Sequence, residues 1–187
     1  RQHRRRSQVR HEEHLLSSYR YDLDPDSIAQ SPVAPRDQAR LLICERSTGR
    51  VRHQTFSELE GVLRPGDLLV VNTTRVIPAR LHPTRADTGG NTEVLLTREL
   101  SSTTWEALVR PGKRLKSGSV VEWDDGTTAT IRDVLPDGMR VVVFSKPVDP
   151  AWLERVGRMP LPPYIKRPRS ASVGADADDY QTVYANE

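Results

Sequence analysis

Cysteine is almost missing from this chain: its 187 residues hold one, Cys44. That excludes an intramolecular disulfide and is compatible with a reducing compartment. One cysteine and five scattered histidines also lack the spacing that holds zinc, so no metal is expected. No apolar run approaches the roughly 20 residues that cross a bilayer, and no membrane partner is expected. The basic first residues are not followed by an apolar h-region, which argues against a secretory signal and for a cytoplasmic protein. There is no P-loop, no dinucleotide fingerprint and no nucleophile–base pair. The sequence therefore names neither a permanently bound cofactor nor a catalytic residue.

Charge is nearly absent as a net quantity, except at one end. Residues 1–20 hold six arginines and two glutamates, which leaves 22 basic and 23 acidic groups from the totals of 28 and 25 for the rest. The high isoelectric point thus belongs to an Arg-rich segment, residues 1–18, read as a disordered extension. Such a segment attracts nucleic acid phosphates without reading their sequence.

Several local patterns are clear. Asp24 or Asp26 can cap a short helix over Ser27–Gln30. Leu41-Leu42-Ile43-Cys44 reads as a buried strand, with Cys44 a small core residue, and Val51–Thr55 returns as its partner. Thr55 and Glu58 match a capping box, which predicts a helix over 56–63 with Leu59, Val62 and Leu63 inward. Pro65-Gly66-Asp67 then introduces an apolar run, Leu68–Val71, expected as a buried strand. From Val76 to Phe144 six β-rich runs alternate with Gly-bearing turns: Val76–Leu81, Thr92–Leu100, Trp105–Val109, Val120–Trp123, Thr127–Val134 and Met139–Phe144. That spacing predicts a small six-stranded antiparallel barrel, with Trp105 and Trp123 in its core or on its rim. Pro150–Val156 reads as a helix stopped by Gly157. Arg169–Asp179 reads as a polar loop.

Three strings carry candidate chemistry. Asn72, Thr73, Thr74 and Arg75 offer amide, hydroxyl and guanidinium groups at the end of the expected strand, where ligands often bind. They suit ribose hydroxyls, a carboxylate or a phosphate; equally, they can cap nearby backbone. Arg80, five residues on, would point to the opposite face of a strand from Arg75. Met159–Ile165 is stiffened by three prolines and presents Tyr164, either as a binding wall or as a crossover between domains. Tyr180 and Tyr184 would share a helix face, with Gln181 and Thr182 between them, for base stacking or for core packing.

Taken in order, these strings resemble the S-adenosylmethionine:tRNA ribosyltransferase-isomerase family of queuosine biosynthesis. The likeness runs from Tyr21-Asp22-Leu23 through Pro65–Val70, Asn72–Leu81, Thr88-Gly89-Gly90 and Met159–Ile165 to Tyr180–Ala185. It implies an enzyme that transfers and isomerises the ribosyl group of S-adenosylmethionine, a consumed substrate. The acceptor would be the aminomethyl-deazaguanine at the wobble position of a tRNA, giving epoxyqueuosine. It also implies an α/β main domain, residues 19–75 and 157–187, interrupted by the barrel at 76–156. Asn72, Thr73, Thr74, Arg75, Arg80, Tyr164, Tyr180, Gln181, Thr182 and Tyr184 become candidates for contact with S-adenosylmethionine or tRNA. The family continues to about twice this length, so the chain is expected to be the N-terminal part of a monomeric enzyme. The competing reading is a non-catalytic RNA-binding module built from the barrel and the basic tail.

Overall fold

The computed structural model describes residues 15–167 and 173–185. The first strands along the chain are the expected hairpin, β1 (Arg40–Cys44) and β2 (Val51–Thr55), antiparallel with Arg40 opposite Thr55. The hairpin is less buried than its composition predicts. Leu41 and Ile43 are half-buried, whereas Leu42 and Cys44 on the other face are exposed, so Cys44 is not a core residue. The capping box forms: Glu58 accepts the Thr55 N–H at 2.8 Å, and that hydrogen bond, first among several, holds its carboxyl below the usual range. The segment it starts, Phe56–Gly61, is 3₁₀ rather than α, and Val62 and Leu63 are exposed.

The expected strand at Leu68–Val71 has no partner strand. Its residues are unpaired and turned to solvent, Leu68 88% and Val70 83% exposed. An apolar run marks a surface that prefers burial; it does not supply the neighbour that buries it.

The alternating runs that follow do pair, into one antiparallel sheet of seven strands rather than six. They are β3 (Arg80–Leu81), β4 (Thr84–Arg85), β5 (Glu93–Ser101), β6 (Thr104–Arg110), β7 (Val120–Glu122), β8 (Thr128–Val134) and β9 (Arg140–Phe144). Their spatial order is β3-β5-β6-β9-β8-β7-β4. The two edge strands are joined by His82 and Pro83 alone, so the edges lie within roughly 10 Å of each other along the chain. A flat seven-stranded sheet cannot satisfy that constraint; this one curls into a half-barrel. Register shifts between Leu96 and Arg98, between Glu99 and Ser101, and between Ile131 and Asp133 add the local bend that curling needs.

Pro78 explains why β3 is short. The chain at 76–78 does not join the sheet; Ala79 O accepts the Leu96 N–H of β5 at 3.0 Å, and strand pairing starts at Arg80, whose N–H bonds Arg158 O at 3.1 Å. The two-residue strand after Pro83 was too short to read from alternation. Inward residues Leu81, Val94, Val121, Ile131 and Val142 are fully buried. Each contributes about 1.5–3 kcal/mol through burial.

Two helices follow the sheet along the chain. In α1 (Pro150–Val156) Pro150 occupies the first turn, and the Asp149 carboxylate caps the Trp152 N–H at 2.7 Å. Trp152 packs edge-on against Trp123, 5.3 Å between centroids, and against Phe144 at 5.8 Å. The segment expected as a polar loop contains α2 (Val173–Asp179), while residues 168–172 lie outside those described. Among the described residues no α/β layer surrounds the sheet; the spans 19–75 and 157–185 hold the hairpin, 3₁₀ turns and α2.

The chain divides into two compact units, Arg1–Ser31 and Pro32–Glu187, and all the strands above belong to the second. In the first, Leu16–Tyr19 and Pro25–Ser27 form 3₁₀ turns, the latter with the Asp24 carboxylate accepting the Asp26 N–H at 3.0 Å. The expected helix over 27–30 is therefore a single turn ending at Ser27. Leu16–Ser18 is structured, although it lies within the span, 1–18, expected to be disordered; the Arg-rich residues 1–14 lie outside the described residues.

Candidate functional site

A cavity of about 440 Å³ opens beside the first residues of β6. That volume suits a small-molecule ligand. Five pieces of chain line it: Arg75–Pro78, the β5–β6 pair, α1 with its approach, Met159 just beyond α1, and the end of α2 with Gln181.

Each wall has a local cause. Trp105 is 7% exposed and stands directly opposite Glu99 in the β5–β6 register, which places the two side chains side by side. Val148, Leu153 and Met159 supply apolar surface. Glu154 lies on α1, one residue beyond buried Leu153. Gln181 fixes the opposite wall: its Oε1 accepts the Val76 N–H at 2.8 Å and its Nε2 donates to Val76 O at 3.2 Å. Arg36 secures the same turn by donating to Gln181 O at 2.8 Å and to Asp179 O.

The position of α1 depends on Asp125, in the β7–β8 turn. Its Oδ2 accepts from Trp152 Nε1 at 2.9 Å, Arg155 Nη2 at 2.6 Å and Lys146 Nζ at 3.1 Å. Its Oδ1 accepts the Thr127 N–H at 2.9 Å and the Thr127 hydroxyl. The Thr127 hydroxyl, first among these donors, holds the carboxyl well below the usual carboxylate range. Gly157, which ends α1, is required by space: a Cβ there would lie 2.0 Å from Pro78 O and 2.6 Å from Leu153 O. The backbone of one cavity wall thus runs directly under another.

Charge is distributed unevenly around this space. Three acidic residues, Glu99, Glu154 and Asp178, are among its lining, against one basic residue, Arg75. The floor is apolar and aromatic. A cationic group with apolar substituents fits such a setting: carboxylates attract it and an aromatic wall tolerates it.

The structure brings together some of the residues expected from sequence. Arg75 and Gln181 line the cavity. Asn72 and Thr74 mainly serve each other, Asn72 Oδ1 accepting the Thr74 N–H at 3.0 Å and its hydroxyl at 2.7 Å; Thr73 is exposed. Arg80 lies in β3, donating to Leu161 O at 3.2 Å, with Glu93 Oε2 3.8 Å from its Nη1. Residues 75–79 are not strand, so the opposite-face relation to Arg75 does not apply. Tyr164, Tyr180 and Tyr184 are outside the lining. Tyr180 and Tyr184 follow α2 through turns and do not share a helix face. Thr182 donates its N–H to Gln181 Oε1 at 3.1 Å. Sequence reasoning missed Glu99, Glu154 and Asp178; an acid directly opposite a buried tryptophan is a signal only after the register is known.

Among the described residues no group of three metal-binding side chains occurs, and no helix is long and apolar enough to cross a membrane.

With this geometry in place, comparison with known proteins decides the family. A family model described as queuosine biosynthesis protein matches residues 16–187. The chain belongs to that family. Among curated relatives of this queuosine biosynthesis family, the S-adenosylmethionine:tRNA ribosyltransferase-isomerase of Moorella thermoacetica is 47% identical over 175 residues, 92% of this chain and 50% of the relative. The protein of the same name from Heliobacterium modesticaldum is 46% identical over 174 residues, with the same coverage. The chain spans about half the length of the curated relatives it matches. A crystal structure of S-adenosylmethionine tRNA ribosyltransferase from Thermotoga maritima is 39% identical and covers 73% of this chain and 47% of its own; its TM-score is 0.38.

Proposed function

We propose that this chain forms the N-terminal part of an enzyme that moves the ribosyl group of S-adenosylmethionine onto tRNA and isomerises it. The observation that carries this reading is the 47% identity, over 92% of the chain, to a relative bearing that activity in its name. In this reading the acceptor is the aminomethyl-deazaguanine at the wobble position, the product is epoxyqueuosine, and adenine and methionine leave. S-adenosylmethionine is consumed rather than held as a cofactor. The half-barrel, residues 76–156, is an insertion in an α/β main domain formed by 19–75 and 157–187 together with the sequence that continues in the relatives. The enzyme works as a cytoplasmic monomer.

The cavity is the natural place for the sulfonium end of S-adenosylmethionine. Glu99 and Glu154 offer carboxylates to the sulfonium and Asp178 one to the α-ammonium group, Trp105 and Met159 take the apolar chain, and Arg75 faces the α-carboxylate. Asn72, Thr73 and Thr74, on the segment just before this wall, and Arg80, Tyr164, Tyr180, Thr182 and Tyr184 around it, remain candidates for ribose and RNA contact.

Two measurements test the reading. A polypeptide extended to the relatives' length, given S-adenosylmethionine and precursor-bearing tRNA, will release free adenine; no adenine release contradicts the proposal. The Glu99→Gln/Glu154→Gln double variant will bind S-adenosylmethionine about three- to tenfold more weakly, since each partly exposed charge contributes up to about 1 kcal/mol. Its affinity for S-adenosylhomocysteine, which has no sulfonium, will change little. Equal losses for both ligands would remove the carboxylates from the account.

A further inference from the structure

Residues 110–119 carry four cations, Arg110, Lys113, Arg114 and Lys116, and no acid; the adjoining turn, 135–139, carries one acid, Asp137. The body of the protein is close to neutral, so this excess is local. All four cationic residues are exposed. None takes part in any ion pair among the described residues.

A surface loop of that composition would ordinarily be a solvated, mobile face. This one is built to hold its shape. Leu115 is fully buried in the core between the exposed cations. Buried Arg140 spends its guanidinium on the loop from below, donating from Nε to Leu115 O at 2.9 Å, from Nη2 to Gly112 O at 2.8 Å and from Nη1 to Gly138 O. The Arg114 N–H bonds Pro111 O at 3.1 Å, Ser119 Oγ accepts the Lys116 N–H at 3.0 Å, and Ser117 Oγ donates to Arg132 O at 2.6 Å. A fixed backbone lowers the ordering cost when cations engage a polyanion.

The location also fits. Strand β6 runs from Trp105, on the cavity, to Arg110, where the loop begins. Five residue steps of extended chain separate the two, about 17 Å. A polyanion whose reacting end enters the cavity would pass other phosphates over the loop.

We propose that the 110–116 loop is a phosphate-backbone contact for RNA, positioning the substrate without reading its bases. The proposal rests on the ribosyl-transfer reading for the identity of the polyanion. Contacts of this kind show in salt dependence, with a slope of about 0.7 per phosphate for single strands.

The test uses the 187-residue chain, a transcribed tRNA with guanine at the wobble position, and a salt series. The Lys113→Gln/Arg114→Gln/Lys116→Gln variant should bind tRNA at least tenfold more weakly at low salt. Its plot of log affinity against log salt should be shallower by about 2. Its thermal unfolding should match the parent, because all three side chains are exposed. A Lys113→Arg/Lys116→Arg variant should bind as the parent does. An unchanged salt slope in the triple variant overturns the loop assignment and leaves the ribosyl-transfer reading standing. No tRNA binding by the parent chain, or equal binding to phosphatidylserine vesicles, overturns the assignment as well. Adenine release by the extended polypeptide then decides the ribosyl-transfer reading separately.

Discussion

At the residue scale, Asp125 has the clearest consequence. One carboxylate collects donors from the β7–β8 turn, from α1 and from Lys146. Asp125→Ala leaves the Trp152 indole Nε1–H without its acceptor and should cost about 1–3 kcal/mol. The pH dependence has a definite sign. The folded-state pKa is depressed, so the stabilisation is complete above the unfolded carboxylate value near pH 4 and is lost as pH falls below it. Thermal unfolding of the parent and of Asp125→Asn should therefore differ most at neutral pH and converge as acid is added. A gap that stays constant below pH 4 would mean that the carboxylate is not ionised in the fold. Gly157 gives a second test of detail. Gly157→Ala should lower stability by about 1–3 kcal/mol, as overpacking does. Gly61→Ala, where a Cβ meets nothing within 4 Å, should have little effect.

At the element scale, the sequence announced what each segment is made of better than what it meets. The capping box at Thr55, the Pro150 start and Gly157 stop of α1, and most sheet strands were legible, because local hydrogen bonding and alternation specify them. β4 was not, because two residues have no period. Leu68–Val71 was misjudged because apolar composition does not name a partner strand. α2 was missed because Gly174 and three aspartates, which favour turns and caps, obscured the helix preference of its two alanines. The cavity was half legible. Arg75 and Gln181 stood out as polar groups in unusual strings, whereas Glu99 and Glu154 became visible only through register and helix placement. Gln181 is the joint between those levels, since its amide bonds both polar atoms of the Val76 backbone. Gln181→Ala should loosen the Arg75–Pro78 wall and cost about 1–3 kcal/mol. Gln181→Glu should be no better, because a carboxylate oxygen would then face Val76 O. Hydrogen exchange at Val76 measures both: faster exchange is expected in each variant, and unchanged exchange would deny Gln181 its role.

At the scale of the whole molecule, the exposed Leu68–Val71 run and the twofold length of the relatives point the same way. A polypeptide extended to that length should protect the Leu68–Val71 amides from exchange, while the 187-residue chain leaves them fast. Fast exchange in both would separate this segment from the proposed main domain. The account then makes one larger claim, that the ribosyl carbons of S-adenosylmethionine, and not its methyl group, pass to RNA. The most direct measurement gives the extended polypeptide precursor-bearing tRNA and S-adenosylmethionine labelled either in the ribose or in the methyl group. The account predicts ribose label in the tRNA, in step with released adenine, and no methyl label. Methyl label in the RNA, or ribose label that never leaves the small-molecule fraction, would contradict it.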